Sequence, residues 1–348
     1  VSGPTVLEVI SPGAYASLQD RGRFGYRRMG VPWAGVLDAR LYRLALALAG
    51  EAVDAPVIEC LDGGLHLCAR GGPVRLAVAG DAELELIGAT ARQARESWCS
   101  LTLAEGEALR LRRLRHGRLA MVAIEGLRLP RVLGSAATYA RAGLGGLDGR
   151  ALRPGLQLPV VVASHGPERV LPQPPRSSTA PIRLLAGPQA DHFTSAALEA
   201  LVENPYRVTS EADRMGVRLE GPALAHTGAA EIVSDATVPG AIQVPGNGQP
   251  IVLLADAQTA GGYPKIGTVI GADLARVADA PPGSQLRFVW VDAPAAEQAA
   301  REAEAQTMAL LASIRPLLAG GVDAGALYNS NLVSGVVDAL GAAPPPAA

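Results

Sequence analysis

The sequence predicts a mainly β protein of two domains, with a few short helices and a helical C-terminal extension. Three observations carry that expectation. The chain has 348 residues, more than one core of about 250 to 300 residues accommodates, so two cores are expected. It holds 40 Gly and 27 Pro but only 4% aromatic residues, so it turns often and fills its interior with Val, Leu, Ile and Ala, as many short strands require. Between residues 74 and 124 one device recurs: a short alternation of apolar and polar residues, then a polar or Gly-containing turn.

Taken in order, Asp38 precedes ARLYRLALALAG, where Leu41, Leu44, Ala45 and Leu48 fall at helical spacing and Gly50 follows the last turn. An N-capped helix closed by glycine is expected. VRLAV, ELELI, LTL, ALRLRRL and LAMVAI then form an antiparallel sheet, with Leu84 and Leu86 on the core face of one strand and Glu83 and Glu85 on its wet face. The segment around Trp98 serves as a connection. LPQPPRSSTAP carries four prolines and no periodicity, which makes 171–181 the linker. The domains are therefore 1–170 and 182–293, each a β-barrel, followed by 294–348 as a helical extension with a frayed tail. Helices are expected over AALEALVEN and from about Pro294 to Arg315, on their Ala, Glu and Gln content. AIQV, PGNG and QPIVLLAD predict a hairpin in which Asn247 and Gly248 supply the positive φ angles of a type I′ turn. RRMGV at 27–31 and DRMGV at 213–217 hint at an internal duplication.

A net charge of -2 leaves no basic footprint for nucleic acid and no attraction to an anionic membrane. No apolar run approaches the roughly 20 residues that span a bilayer, and VSGPTVLEVI lacks the basic start and cleavage site of a secretory signal. Cys60, Cys68 and Cys99 show no CxxC spacing, so reduced buried thiols in a cytoplasmic protein are expected. GxxxxGK[ST] is absent and GLGGLDG misses the dinucleotide spacing. The five histidines are scattered without HExxH, so no tightly bound metal is expected. Ser164 and His165 are neighbours, but GxSxG is missing and they define no triad.

The densest chemistry lies in DAQTAGGYPKIGT at 256–268. Lys265 is the only lysine of the chain, and the other 30 basic residues are arginine. A lysine that survives such replacement either marks a place where the wide, permanently charged guanidinium fails or is a surface residue spared by chance. Asp256 sits where the strand IVLLAD leaves the core, and Gln258, Thr259 and Tyr263 surround Gly261 and Gly262, which let backbone approach a ligand closely. The alternative is a tight loop in which Asp256 caps its own turn. Gln243 and Gln249, on opposite arms of the hairpin, face either this cleft or solvent. Two further stretches, QDRGRFGYRRMGVP and LGSAATYARAGLGG, set Asp20, Arg21, Ser135, Tyr139 and Arg141 among glycines. Arg21 and Arg141 suit a carboxylate or phosphate, or else a neighbouring Asp. Asp213, Arg214 and Asp235 belong either to loop structure or to the site.

These stretches, with GPQADHF, DRMGVRLEGP and EIVSDATVPGAIQVPGNGQPIVLLADAQTAGGYPKIGTVIGADL, resemble the biotin-dependent carboxyltransferase-like family. Its bacterial members are called allophanate hydrolase subunit 2 or the C subunit of the ATP-dependent 5-oxoprolinase, and it includes the carboxyltransferase region of urea carboxylase. The resemblance spans about residues 7 to 292 and implies two cyclophilin-like β-barrel domains. It also implies a complex with the A and B subunits, the latter KipI-like, which opens 5-oxoproline, a small cyclic amide, to glutamate with ATP and Mg²⁺. The isolated chain is then expected to be inactive. In that mechanism Lys265 and Tyr263 stabilise the oxyanion and Asp256 orients a water or a donor. Gln258, Thr259, Gly261, Gly262, Gln243, Asp235, Arg21, Asp20 and Arg141 complete the substrate site. Two alternatives follow from the same resemblance: carboxyl transfer to urea or a related amide from carboxybiotin on a separate chain, and a non-catalytic regulatory partner of a KipI-like protein. The chain itself carries no biotin, since Lys265 has no Met nearby. It departs from the family pattern at Ala34, Ala257, Ala260 and the stretch Ala123-Ile124-Glu125-Gly126.

Overall fold

The computed structural model describes residues 4–161 and 166–317. Ser164, His165 and the tail beyond 317 lie outside them. Two sheets make the N-terminal half. The first has the order Gln157–Pro159, Val6–Pro12, Leu65–Arg70, Ala108–Leu114, Ala82–Ile87, Arg92–Glu96. The second runs Tyr15–Gln19, Val57–Leu61, Leu119–Ile124, Val74–Ala79, Cys99–Leu103, Arg169–Val170, Arg315–Pro316. Leu7, Val9 and Leu67 from one sheet meet Ile58, Leu76 and Val122 from the other in a closed apolar core.

The back of the second sheet is covered as well. Val57, Ala77, Ala79, Met121 and Ala123 pack on helix α1 (Ala39–Ala49). For that reason Val74–Ala79 and Leu119–Ile124 are buried at every position, where alternation alone predicted one wet face. As expected, α1 begins at Asp38, whose side chain accepts from Arg40 N and Leu41 N, and ends at Gly50 in the left-handed region. Arg92–Glu96, read from sequence as connection, is a fully exposed edge strand. It buries nothing, so it left no apolar signal.

In the C-terminal half eight strands form one sheet, in the order Gln285–Leu286, Tyr206–Val208, Gly216–Glu220, Ile251–Leu253, Ala241–Gln243, Lys265–Val269, Ile182–Ala186, Phe288–Trp290. Its first and last strands are separated along the chain only by Arg287, whose carbonyl accepts from Ile182 N at 2.7 Å. The sheet therefore curls until its edges nearly meet, giving a nearly closed barrel filled by Leu184, Val217, Leu219, Ile242, Val252 and Ile266. Helices α2 (Ser195–Glu203), α3 (Gly271–Ala278) and α4 (Ala293–Ser313) complete the fold. The first and last of these were expected. Helix α3 has no side-chain cap at Ile270, and so gave no start signal.

Residues 171–181 carry no helix or strand, yet apolar packing does not stop there. Leu171, α1 and the barrel interior belong to one contiguous cluster. The expected hairpin pairs Gln243 with Ile251, so its loop is longer than a two-residue turn. Gly248 alone takes positive φ, 74°, and its N–H closes a turn onto Pro245 O at 2.9 Å. The two RMGV matches do not share structure: Arg27–Met29 is a single 3₁₀ turn, whereas Gly216 opens a strand. Among the described residues no helix is long and apolar enough to cross a membrane.

Candidate active site

Lys265 opens the strand Lys265–Val269 directly opposite Gln243, with a bulge between Ile242 and Gln243. Ile266 points into the barrel core, so alternation sends Lys265 and Gln243 to the other face together. Lys265 is 3% exposed. Its Nζ donates to Asp235 Oδ2 at 2.7 Å, and Asp235 itself is about half exposed, at 49%. Gln189 Nε2 donates to the same Oδ2 at 3.1 Å, and Ala236 N to Oδ1 at 2.7 Å. These contacts, the Lys265 hydrogen bond foremost, hold the Asp235 carboxyl below the usual carboxylate range. Gln189 also accepts from Lys265 N through Oε1 at 3.2 Å.

The glycine-containing loop folds over this pair. Asp235–Ala236 forms a two-residue ladder with Ala260–Gly261. Thr237 ties it down further, donating through N to Thr259 O at 3.1 Å and through Oγ1 to Gln258 O. Gln258 Nε2 donates to Gln243 Oε1 at 3.1 Å. A Cβ on Gly261 would lie 2.4 Å from Gln243 Nε2, so any other residue there would displace the Gln243 amide. Gly262 O accepts from Ile232 N at 2.8 Å, and Tyr263, next in the chain, is 39% exposed and makes no side-chain hydrogen bond to the cluster among the described residues. Lys265, Asp235, Gln243, Gln258, Gly261 and Gly262 are thus gathered. Sequence reasoning missed Gln189, although it stands in GPQADHF; nothing in its spacing linked it to Lys265.

Asp256 belongs to a different cluster. Both of its oxygens are taken by Arg214, at 2.9 and 3.0 Å. Arg214 also donates to Glu59 and to Gly35 O, and Glu59 Oε2 accepts from Leu37 N at 2.7 Å. Burial pushes the Glu59 carboxyl up against the pull of Arg214. Burial likewise works against the Arg214 charge, but Glu59 and Asp256 outweigh it and raise its pKa. Among the described residues Asp256 shares no hydrogen bond with the Lys265 cluster. It faces a cleft of about 320 Å³ lined also by Tyr15, Asp62, Arg118, Tyr139 and Arg141. Arg141 is exposed at that cleft, 3.9 Å from Met215 Sδ.

The remaining candidates are dispersed. Asp20 is buried and clamps two loops, accepting from Gly22 N at 2.8 Å, Ser135 Oγ at 2.6 Å and Ala136 N at 2.7 Å. Arg21 is exposed and has no ion-pair partner among the described residues. Asp213 stabilises its own turn, accepting from Met215 N and Gly216 N. Gln249, expected near Lys265 or in solvent, instead bridges the N–H and carbonyl of Gly221.

On the outer face of a nearly closed barrel, a buried ammonium and a buried glutamine amide thus meet a half-exposed carboxylate beside a Gly-Gly loop, an arrangement able to exchange hydrogen bonds with a small polar molecule. The family model described as carboxyltransferase domain, subdomain A and B, matches residues 29–290, and the chain belongs to that family. It is 36% identical over 288 residues to the C subunit of 5-oxoprolinase from Escherichia coli (strain K12), covering 82% of this chain and 91% of that one. Identity to the C subunit of 5-oxoprolinase from Haemophilus influenzae is 32%, over 86% and 96% of the two chains. Among solved structures, the urea carboxylase of Kluyveromyces lactis superposes with a TM-score of 0.78 at 27% identity over 90% of this chain. This chain spans only 30% of that enzyme. TTHA0988 gives a TM-score of 0.73 at 34% identity over 83% of this chain and 56% of its own.

Proposed function

We propose that this chain is the C-type subunit of an ATP-dependent 5-oxoprolinase, acting in a cytoplasmic complex with the A and B subunits of that enzyme. The overall reaction joins 5-oxoproline, ATP and water to give glutamate, ADP and phosphate; water breaks the lactam C–N bond. Near full-length similarity to two subunits of that name supports it. The observation that carries it is the buried Lys265 ammonium, fixed 2.7 Å from Asp235 beside two glutamine amides. Lys265 meets the negative charge that grows on the carbonyl oxygen as the amide is attacked, its side chain held almost wholly buried against Asp235. Tyr263 contributes its hydroxyl from the rim, and Asp235 holds the ammonium in place.

The chain offers no GxxxxGK[ST] loop to cradle phosphates. ATP and its Mg²⁺ are therefore assigned to a partner or a shared interface, where ATP supplies the driving force for opening a stable amide. Asp256, locked to Arg214, supports the interface between the two halves rather than an attacking water. A second reading, carboxyl transfer to urea or a related amide from carboxybiotin on another chain, is favoured by the family description and by the fit to urea carboxylase. The test is glutamate release from 5-oxoproline with ATP, adding the A and B subunits one at a time. Turnover only with all three is expected. ATP-dependent opening by the isolated chain would sink the proposal, and carboxylation of urea with a biotinylated carrier alone would favour the second reading.

A further inference from the structure

We infer that Lys265, Gln243 and Asp235 together read one edge of a cis amide, the edge on which a lactam or urea carries its C=O and an N–H side by side. The inference rests on the proposed function, which puts a carbonyl against Lys265, and adds what selects the molecule bearing it.

The donors come first. One Lys265 N–H points to Asp235, leaving the others for a ligand. Gln243 is 2% exposed and its Oε1 is held by Gln258, while its Nε2 has no acceptor among the described residues. A buried donor left unmade is costly, so this amide is set for an acceptor that no described residue supplies. Gln243 and Lys265 are register partners. Their side chains start about 5 Å apart on the same face, and both can address one carbonyl oxygen.

The acceptor lies beside them. A carboxylate offers about four lone-pair positions, and Asp235 uses three, for Lys265, Gln189 and Ala236. The remaining position is on Oδ1, and the half-exposed side chain leaves it open. The open Oδ1 position and the Lys265 ammonium are thus linked through one carboxylate, whose other oxygen, Oδ2, lies 2.7 Å from Nζ. An acyclic secondary amide is trans and carries C=O and N–H on opposite edges, so it satisfies one group and strands the other. A lactam or urea satisfies both. Gly261 is part of this arrangement, since a Cβ there would strike Gln243 Nε2.

The experiment needs no turnover. Four small probes are titrated into the full chain by NMR: 2-pyrrolidinone, urea, N-methyl-2-pyrrolidinone and N-methylacetamide. The first two are expected to bind at least about tenfold more tightly than the last two, because a site built to hydrogen-bond an N–H rejects analogues that lack or misplace it. Gln243→Glu, which keeps shape but loses the donor, and Lys265→Met are each expected to weaken 2-pyrrolidinone about tenfold, with thermal unfolding recorded to verify folding. Equal binding of 2-pyrrolidinone and its N-methyl derivative would overturn the inference, as would undiminished binding to folded Gln243→Glu. If Lys265→Met weakens the lactam while probe discrimination is absent, only this inference falls. Absence of binding by any probe would remove the carbonyl site and the proposed function with it.

Discussion

At the scale of single residues, the lone lysine is the most telling feature. Its ammonium sits in a pocket that exposes 3% of the residue, against a carboxylate that remains about half exposed. Removing it costs little stability, because Asp235 can take water in its place. Lys265→Arg and Lys265→Met are both expected to keep the melting temperature within a few degrees while lowering turnover of the assembled enzyme at least about 100-fold. Near-normal turnover by Lys265→Arg would mean that charge alone matters. Asp235 titrates below the usual range, so whatever stability its ion pair adds is fully present above its unfolded pKa. It is lost only as pH falls through the depressed folded value. Lactam binding is therefore expected to survive down to the usual carboxylate range near pH 4. Loss of binding near pH 6 that disappears in Asp235→Asn would contradict the assignment. Lys265, Gly261 and Gln258 were legible because one motif holds them. Gln189 and the Asp235 contact were not, since strands distant in sequence bring them in.

At the scale of elements, local signals and tertiary cover compete. Helix α1 was read with both its ends because Asp38 and Gly50 act within one turn of their own chain. Asp38→Ala is expected to lower unfolding stability by about 1–2 kcal/mol in a denaturant titration, with Asp38→Asn closer to the parent. An unchanged midpoint for the alanine variant would show that the cap is dispensable. Strand faces behaved otherwise. Alternation in Val74–Ala79 predicts one buried side, but α1 lies over the second side, and no feature within the strand announces that. The edge strand Arg92–Glu96 went unread for the opposite reason: it is paired but uncovered.

At the scale of the whole molecule, buried charge joins the halves. Arg214 and Asp256 come from the C-terminal half, Glu59 and Gly35 from the N-terminal half. Arg214→Met is expected to destabilise the protein by about 3–5 kcal/mol, because two buried carboxylates lose their counter-charge; calorimetry checks this, and a loss below about 1 kcal/mol would refute it. Asp279 makes a second join, one oxygen accepting from Arg118 N and Leu119 N, both at 2.8 Å. Burial pushes its carboxyl up to about 6. Folding then favours the protonated form, so stability from this residue falls as pH rises from about 4 to 6 and levels off above, by roughly 3 kcal/mol at most. Asp279→Asn keeps the accepting oxygen and is expected to abolish that slope, which chemical denaturation across pH 4 to 7 measures.

The sequence by itself determined the strand-rich class, the capped helix, the segment 171–181 without regular structure and the loop that carries Lys265, because each depends on contacts within a few residues. Family membership was also written there, in an ordered run of motifs. Only the tertiary structure decided which polar residues act together. Asp256 and Lys265 are nine positions apart in one loop-bearing segment, yet Arg214 draws the first toward the interface between halves while Asp235 holds the second on the barrel's outer face. A charge removed from water takes the best counter-charge within reach, and the folded sheets set that reach.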